Sequence, residues 1–200
     1  MNICIFASGG GSNFNAILRA HNKGIIKSDI LLLITNNSNC NAVKIAERNN
    51  IEVFHISRKL FPEIDDVEYS NKFIFKLEEK KIDFIVLAGY MKLLESSVIK
   101  KYNNKIINIH PALLPSFGGK GMYGINVHKA VLEAGVKITG ITVHLVNENY
   151  DNGKILFQKA VKVNGDDTCI SLQKRVLKSE HKYYPFVISQ IEQNKINLSE

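Results

Sequence analysis

Short apolar runs with almost no polar interruption constrain this chain more than anything else in it. Residues 29–35 read Asp-Ile-Leu-Leu-Leu-Ile-Thr and residues 83–88 read Asp-Phe-Ile-Val-Leu-Ala. In an extended chain successive side chains point to opposite faces, so such a run is apolar on both faces and both must be covered. Stretches with helical spacing lie between the runs: Phe14, Ile17 and Leu18 within 13–22, a segment over 41–49, and Tyr69, Phe73, Ile74 and Leu77 within 67–80. With further strands over 2–7, 52–56 and 105–109 and short helices over 95–101 and 126–134, strand and helix alternate. That alternation predicts an α/β fold, a doubly wound, mostly parallel sheet with helices on its faces.

The last third departs from this pattern. Residues 137–147 and 154–163 read as strands joined through 149–153, where Asn152-Gly153 is a strong hairpin signal, so this pair is expected to be antiparallel. A long amphipathic helix over about 167–193 follows, with Asp166 or Asp167 as its cap and a bend near Pro185. At 200 residues a single domain, 1–200, is expected, large enough to bury a core without staples.

The formal charge of +7 suits an anionic partner, nucleic acid or a phosphorylated metabolite. The lysines are spread along the chain rather than gathered into a basic arm, which favours small molecules and leaves no nucleic-acid partner expected. The three cysteines, Cys4, Cys40 and Cys169, lie far apart with no CxxC pair, so a reducing, cytoplasmic setting without a structural metal is expected. No run is long enough to span a membrane, and the first apolar stretch is too short for a secretion signal. The oligomeric state is left open.

Two polar residues interrupt the apolar stretch 107–115, Ile-Asn-Ile-His-Pro-Ala-Leu-Leu-Pro. Asn108 and His110 alternate along an extended chain and share a face at the end of a strand that Pro111 stops. Taken singly, each is explained as a structural amide or a strand-end imidazole satisfied by backbone. Together they are hydrogen-bond donors aimed the same way, as needed to stabilise an oxyanion. Asp151 is a turn former before Asn152-Gly153, or a carboxylate that raises the pKa of His110 and keeps its ring charged. Residues 8–13, Ser-Gly-Gly-Gly-Ser-Asn, lead into a helix; they are either a tight turn capped by Ser12 or Asn13 or a phosphate cradle at the helix N-terminus. Phe14 stands where a dinucleotide fingerprint needs glycine, and no acidic residue ends the second strand, which argues against NAD. His144 alternates with Val143 and Leu145 and reads as structural or as support for the site. No nucleophile elbow occurs, so group transfer between two bound substrates fits better than covalent catalysis.

Four motifs together carry a family resemblance: 8–14 (SGGGSNF), 87–94 (LAGYMKLL), 108–115 (NIHPALLP) and 140–146 (GITVHLV) running on to Tyr150-Asp151-Asn152-Gly153. On these the chain resembles the folate-dependent formyltransferases over nearly its whole length. The resemblance implies a Rossmann-like formyltransferase fold and transfer of a formyl group from 10-formyltetrahydrofolate, as co-substrate, to the amine of 5-phosphoribosylglycinamide in purine synthesis, with no metal. It implies Asn108, His110 and Asp151 as catalytic, Gly11, Ser12, Asn13, Phe14 and Glu180 as ribonucleotide-binding, and Met91, Lys92, Leu93 and Leu94, with Asn108, as bordering the folate. Residues 1–100 would mainly hold the ribonucleotide phosphate, and 101–200 would carry catalysis and folate binding. Four departures from the family pattern bear on substrate entry and tail recognition: Lys92 where arginine is common, Asp65 and Asp66 near where a basic residue often meets the folate tail, a longer 116–124 loop, and Asn126 where another histidine can occur. A methionyl-tRNA formyltransferase shares this core and a formyltetrahydrofolate deformylase would use the same residues with water as acceptor, but each adds a module that a one-domain chain with its first strand at residue 2 is not expected to have. A nucleotide-binding module without activity would explain the glycine loop and leave Asn108, His110 and Asp151 unexplained.

Overall fold

The computed structural model describes residues 1–199. The chain divides into two compact units, Met1–Ile106 and Ile107–Glu200.

The first unit alternates strand and helix as expected: β1 (Asn2–Phe6), α1 (Ser12–Asn22), β2 (Asp29–Thr35), α2 (Asn41–Arg48), β3 (Glu52–His55), α3 (Asp66–Glu79), β4 (Phe84–Leu87) and α4 (Ser96–Lys101). Its strands lie in the order β3-β2-β1-β4, and those described as pairs are parallel, with Ile5 opposite both Leu33 and Val86. Every residue of β4 and all but the first of β1 are buried, the signature of a sheet covered on both faces. Phe14 and Ile17 of α1 and Phe73 and Leu77 of α3 are buried with them.

The start of α1 corrects one expectation. Neither Ser12 nor Asn13 caps it; the cap position is Gly11, in the left-handed conformation at φ 68°, with no side-chain bond. A Cβ there would stand 2.9 Å from the Cα of Ala42 in α2, so glycine meets both a backbone and a packing demand. The acidic pair Asp65 and Asp66 also has a local explanation. The Asp65 carboxylate caps α3 by accepting from the Glu68 N–H at 2.7 Å, and Asp66 pairs with Arg58, whose guanidinium lies 4.0 Å from the centre of the Tyr69 ring.

The second unit is built on β5 (Ile106–His110), β6 (Ile138–Leu145) and β7 (Ile155–Lys162), with α5 (Ile125–Glu133) and α6 (Cys169–Glu192). Both pairings are antiparallel, and Asn108 faces His144 while His110 faces Thr142 across β5 and β6. Thr168, not Asp166 or Asp167, caps α6: its hydroxyl accepts from the Ser171 N–H at 3.1 Å, and the Ser171 hydroxyl accepts from the Thr168 N–H at 2.9 Å. Asp167 is instead held by Arg175 through two bonds of 2.5 and 2.7 Å. α6 runs helical through Pro185, and Tyr184 beside it donates its hydroxyl to the Ile107 carbonyl at 3.2 Å. The fold is thus the predicted α/β one, with the antiparallel hairpin and the long last helix.

Candidate active site

Antiparallel register brings the polar residues of the second unit together. Asn108 and His110 leave β5 on one face, and directly opposite Asn108 on β6 is His144. Their side chains meet, Asn108 Nδ2 lying 3.2 Å from His144 Nε2. Asp151 comes in from the turn after β6, in the left-handed conformation at φ 52°, which aspartate tolerates better than most residues. Its two oxygens divide between the imidazoles: Oδ2 is 3.5 Å from His110 Nδ1 and Oδ1 is 3.6 Å from His144 Nε2. Both rings are buried, at 3 % and 2 % exposure, so little water screens the carboxylate between them.

The loop after Pro115 closes the cluster with its main chain. The Gly119 N–H donates to Asp151 Oδ2 at 3.0 Å, and His110 Nε2 donates to the Phe117 carbonyl at 2.8 Å. A carbonyl only accepts, so Nε2 carries the hydrogen. Below the site, the buried Thr142 hydroxyl donates to the Ala112 carbonyl at 2.7 Å and accepts from the Leu114 N–H at 3.0 Å, stapling the turn that follows His110.

The pKa of His110 shifts in the opposite direction to the sequence expectation. Burial drives its pKa below the ordinary value and outweighs the opposing pull of the Asp151 carboxylate and of the Phe117 carbonyl. For Asp151 burial acts upward, but the neighbouring His144 and His110 and the Gly119 N–H hold the carboxyl below its usual value and ionised.

A third imidazole lies nearby. His128 of α5 is buried, its Nδ1 makes no hydrogen bond, and burial first, then the charge of His110, push its pKa down to about 4. A histidine whose folded pKa is depressed takes up its proton more readily when unfolded, so stability is complete above the unfolded value near 6.5 and is lost as pH falls towards the folded one. Thermal melts from pH 7.5 to 5 should show a falling Tm. In His128→Gln that loss should shrink by roughly 2 kcal/mol at pH 5. An unaltered pH slope in the variant would show that His128 does not drive it.

In the first unit, the Ser8 hydroxyl donates to Asn36 Oδ1 at 2.5 Å and accepts from the Met91 N–H at 2.9 Å, tying the loops after β1, β2 and β4 into one rim. Gly11 and Asn13 are buried and Ser12 is exposed there, whereas the Phe14 side chain belongs to the core, which leaves only its backbone for a ligand. Met91, Lys92 and Leu93 are exposed and Leu94 is buried. In the second unit Glu180 is buried on α6. Asn108 and His110 share a face as their alternation requires, and Asp151 reaches His110; Thr142 is the residue that reading missed, and for His144, expected as structural or supporting, it missed the partnership with Asn108. Cross-strand register was the signal for both, and it follows only once β5 and β6 are known to be antiparallel neighbours.

Comparison with known proteins accords with this geometry. Residues 1–188 match the formyl transferase family. The chain is 44 % identical over 198 residues to the chloroplastic phosphoribosylglycinamide formyltransferase of Arabidopsis thaliana, covering 99 % of this chain and 68 % of the plant protein. It is 37 % identical over 187 residues to the phosphoribosylglycinamide formyltransferase of Bacillus subtilis (strain 168), covering 94 % of this chain and 92 % of that protein. The crystal structure of phosphoribosylglycinamide formyltransferase from Bacillus halodurans superposes with a TM-score of 0.90 at 34 % identity, covering 98 % of this chain and 97 % of the other. By these matches the chain belongs to the formyl transferase family, alongside the phosphoribosylglycinamide formyltransferases.

Proposed function

We propose that this chain transfers the formyl group of 10-formyltetrahydrofolate to the amine of 5-phosphoribosylglycinamide, a step of purine synthesis. The observation that carries the reading is the cluster of buried His110 with half-buried Asn108 and Asp151, which offers donors and a counter-charge but no nucleophile. The substrate amine attacks the formyl carbon directly, the carbonyl oxygen becomes an oxyanion, and the bond to the folate nitrogen breaks as that nitrogen takes a proton. Asn108 donates to the oxyanion, and His110 does so through Nε2 once the Phe117 carbonyl gives way. As negative charge builds on the oxygen, that charge and Asp151 together raise the proton affinity of the ring. His110 then accepts the proton the amine sheds, through an ordered water, and passes one to the leaving nitrogen.

Backbone groups of Gly11, Ser12, Asn13 and Phe14 at the start of α1 suit the phosphate, and buried Glu180 suits the substrate amine. Exposed Met91, Lys92 and Leu93, with Leu94 beneath, suit the border of the folate, with Asn108 at its reacting end. On this reading residues 1–100 hold mainly the phosphate, and 101–200 supply catalysis and part of the folate site. Three cysteines outside any disulfide support work in a reducing compartment such as the cytoplasm.

A coupled assay tests the reading. With both substrates the protein should release tetrahydrofolate and formylated ribonucleotide in equal amounts, and without the ribonucleotide release should stop. Equal release of formate from the formyl-folate alone would make the protein a deformylase.

A further inference from the structure

We propose that His144 is a positioning residue that fixes which end of the Asn108 carboxamide faces the reacting carbon; this rests on the reading of Asn108 as an oxyanion donor. A carboxamide carries donors at one end and an acceptor at the other, and the two orientations occupy almost the same space. Only the N–H end stabilises an oxyanion. With its oxygen in that place, Asn108 would repel the charge it has to stabilise.

The surroundings of His144 select one orientation. Its Nδ1 lies 2.8 Å from the Leu145 carbonyl, which only accepts, so Nδ1 carries the hydrogen. In the neutral ring Nε2 is then a bare acceptor, and the Asn108 amide reaches it with Nδ2 at 3.2 Å. A rotated amide would set Oδ1 against the Nε2 lone pair, acceptor against acceptor. The other group near Nε2, Asp151 Oδ1 at 3.6 Å, is also an acceptor and supplies no hydrogen in place of the amide's. Burial of His144 excludes the water that would otherwise satisfy either orientation. One N–H of Asn108 is thereby spent on His144, and the second stays available for the oxyanion.

Two substitutions and one spectrum test this. Glutamine at 144 brings a carbonyl oxygen to about where Nε2 stands and still accepts from Asn108, whereas leucine offers no acceptor. His144→Leu should lower kcat roughly 10- to 100-fold with KM for both substrates nearly unchanged, because the lost interaction acts in the transition state. His144→Gln should recover most of that loss. In the unaltered protein, histidine ¹⁵N resonances should show His144 protonated at Nδ1 and bare at Nε2, and the Nε2 resonance should move in Asn108→Ala. An Nε2-protonated tautomer overturns the proposal, as does an equal loss in the leucine and glutamine variants. Should His144→Leu fail to fold, the tautomer and the glutamine variant still decide. Asn108→Ala with undiminished kcat would overturn the donor reading and this one with it. A slow Asn108→Ala beside a fast His144→Leu would overturn only the orienting role.

Discussion

Asp151→Asn should reduce kcat roughly 100-fold or more while the protein stays folded. Asparagine keeps the shape, still accepts from the Gly119 N–H, and tolerates the left-handed backbone at this position. What it removes is the charge shared by His110 and His144. Burial already holds His110 below its ordinary pKa, and Asp151 is the first cause opposing that fall. Without the carboxylate, a ring that must gain a proton during transfer has to do so in a dry, uncharged setting, where each lost pK unit costs about 1.4 kcal/mol. Substrate KM values should change little, because the charge acts on the transition state. Steady-state kinetics beside a thermal melt separate the two effects, and a variant turning over within a few-fold of the parent would reduce Asp151 to a turn former.

Gly153→Ala should be among the most damaging small substitutions in the chain. A Cβ at Gly153 would lie 1.8 Å from the Leu145 carbonyl oxygen and 2.7 Å from its carbon, both main-chain atoms that no rotamer change can move. Relief requires the hairpin turn and the end of β6 to part, breaking the bond from the Leu145 N–H to the Lys154 carbonyl at 2.8 Å. The same movement displaces the Leu145 carbonyl that holds His144 and the turn that carries Asp151. A loss of roughly 3 kcal/mol or more in a urea titration is expected, with kcat falling as well. Gly165→Ala is the matched control: its Cβ would meet nothing within 4 Å, and its melt should scarcely change.

Much of this architecture is legible in the residues themselves. Apolar runs in the first half could be satisfied only by a covered parallel sheet, and Asn152-Gly153 marks the hairpin wherever the strands go. Asn108 and His110 are readable because alternation along one strand is a local property. The pairing of His144 with Asn108 is not, since it depends on which strand lies beside β5 and in what register. The direction of the His110 pKa shift escaped for a related reason. A nearby carboxylate can be guessed from sequence, but the depth of burial that outweighs it emerges only from the packed chain. The cap of α6 shows the limit on a smaller scale: Asp166, Asp167 and Thr168 are all good caps, and the bond between Asp167 and Arg175 one helical stretch later leaves the role to Thr168.

The loop after Pro115 meets His110 and Asp151 through the Phe117 carbonyl and the Gly119 amide. Neither group belongs to a side chain, so residue 117 can change without erasing the contact wherever the new residue tolerates its left-handed backbone at φ 58°. Insertions, deletions and prolines that redirect the peptide planes are what the site must resist, and variation among homologous loops should therefore be freer in chemistry than in length.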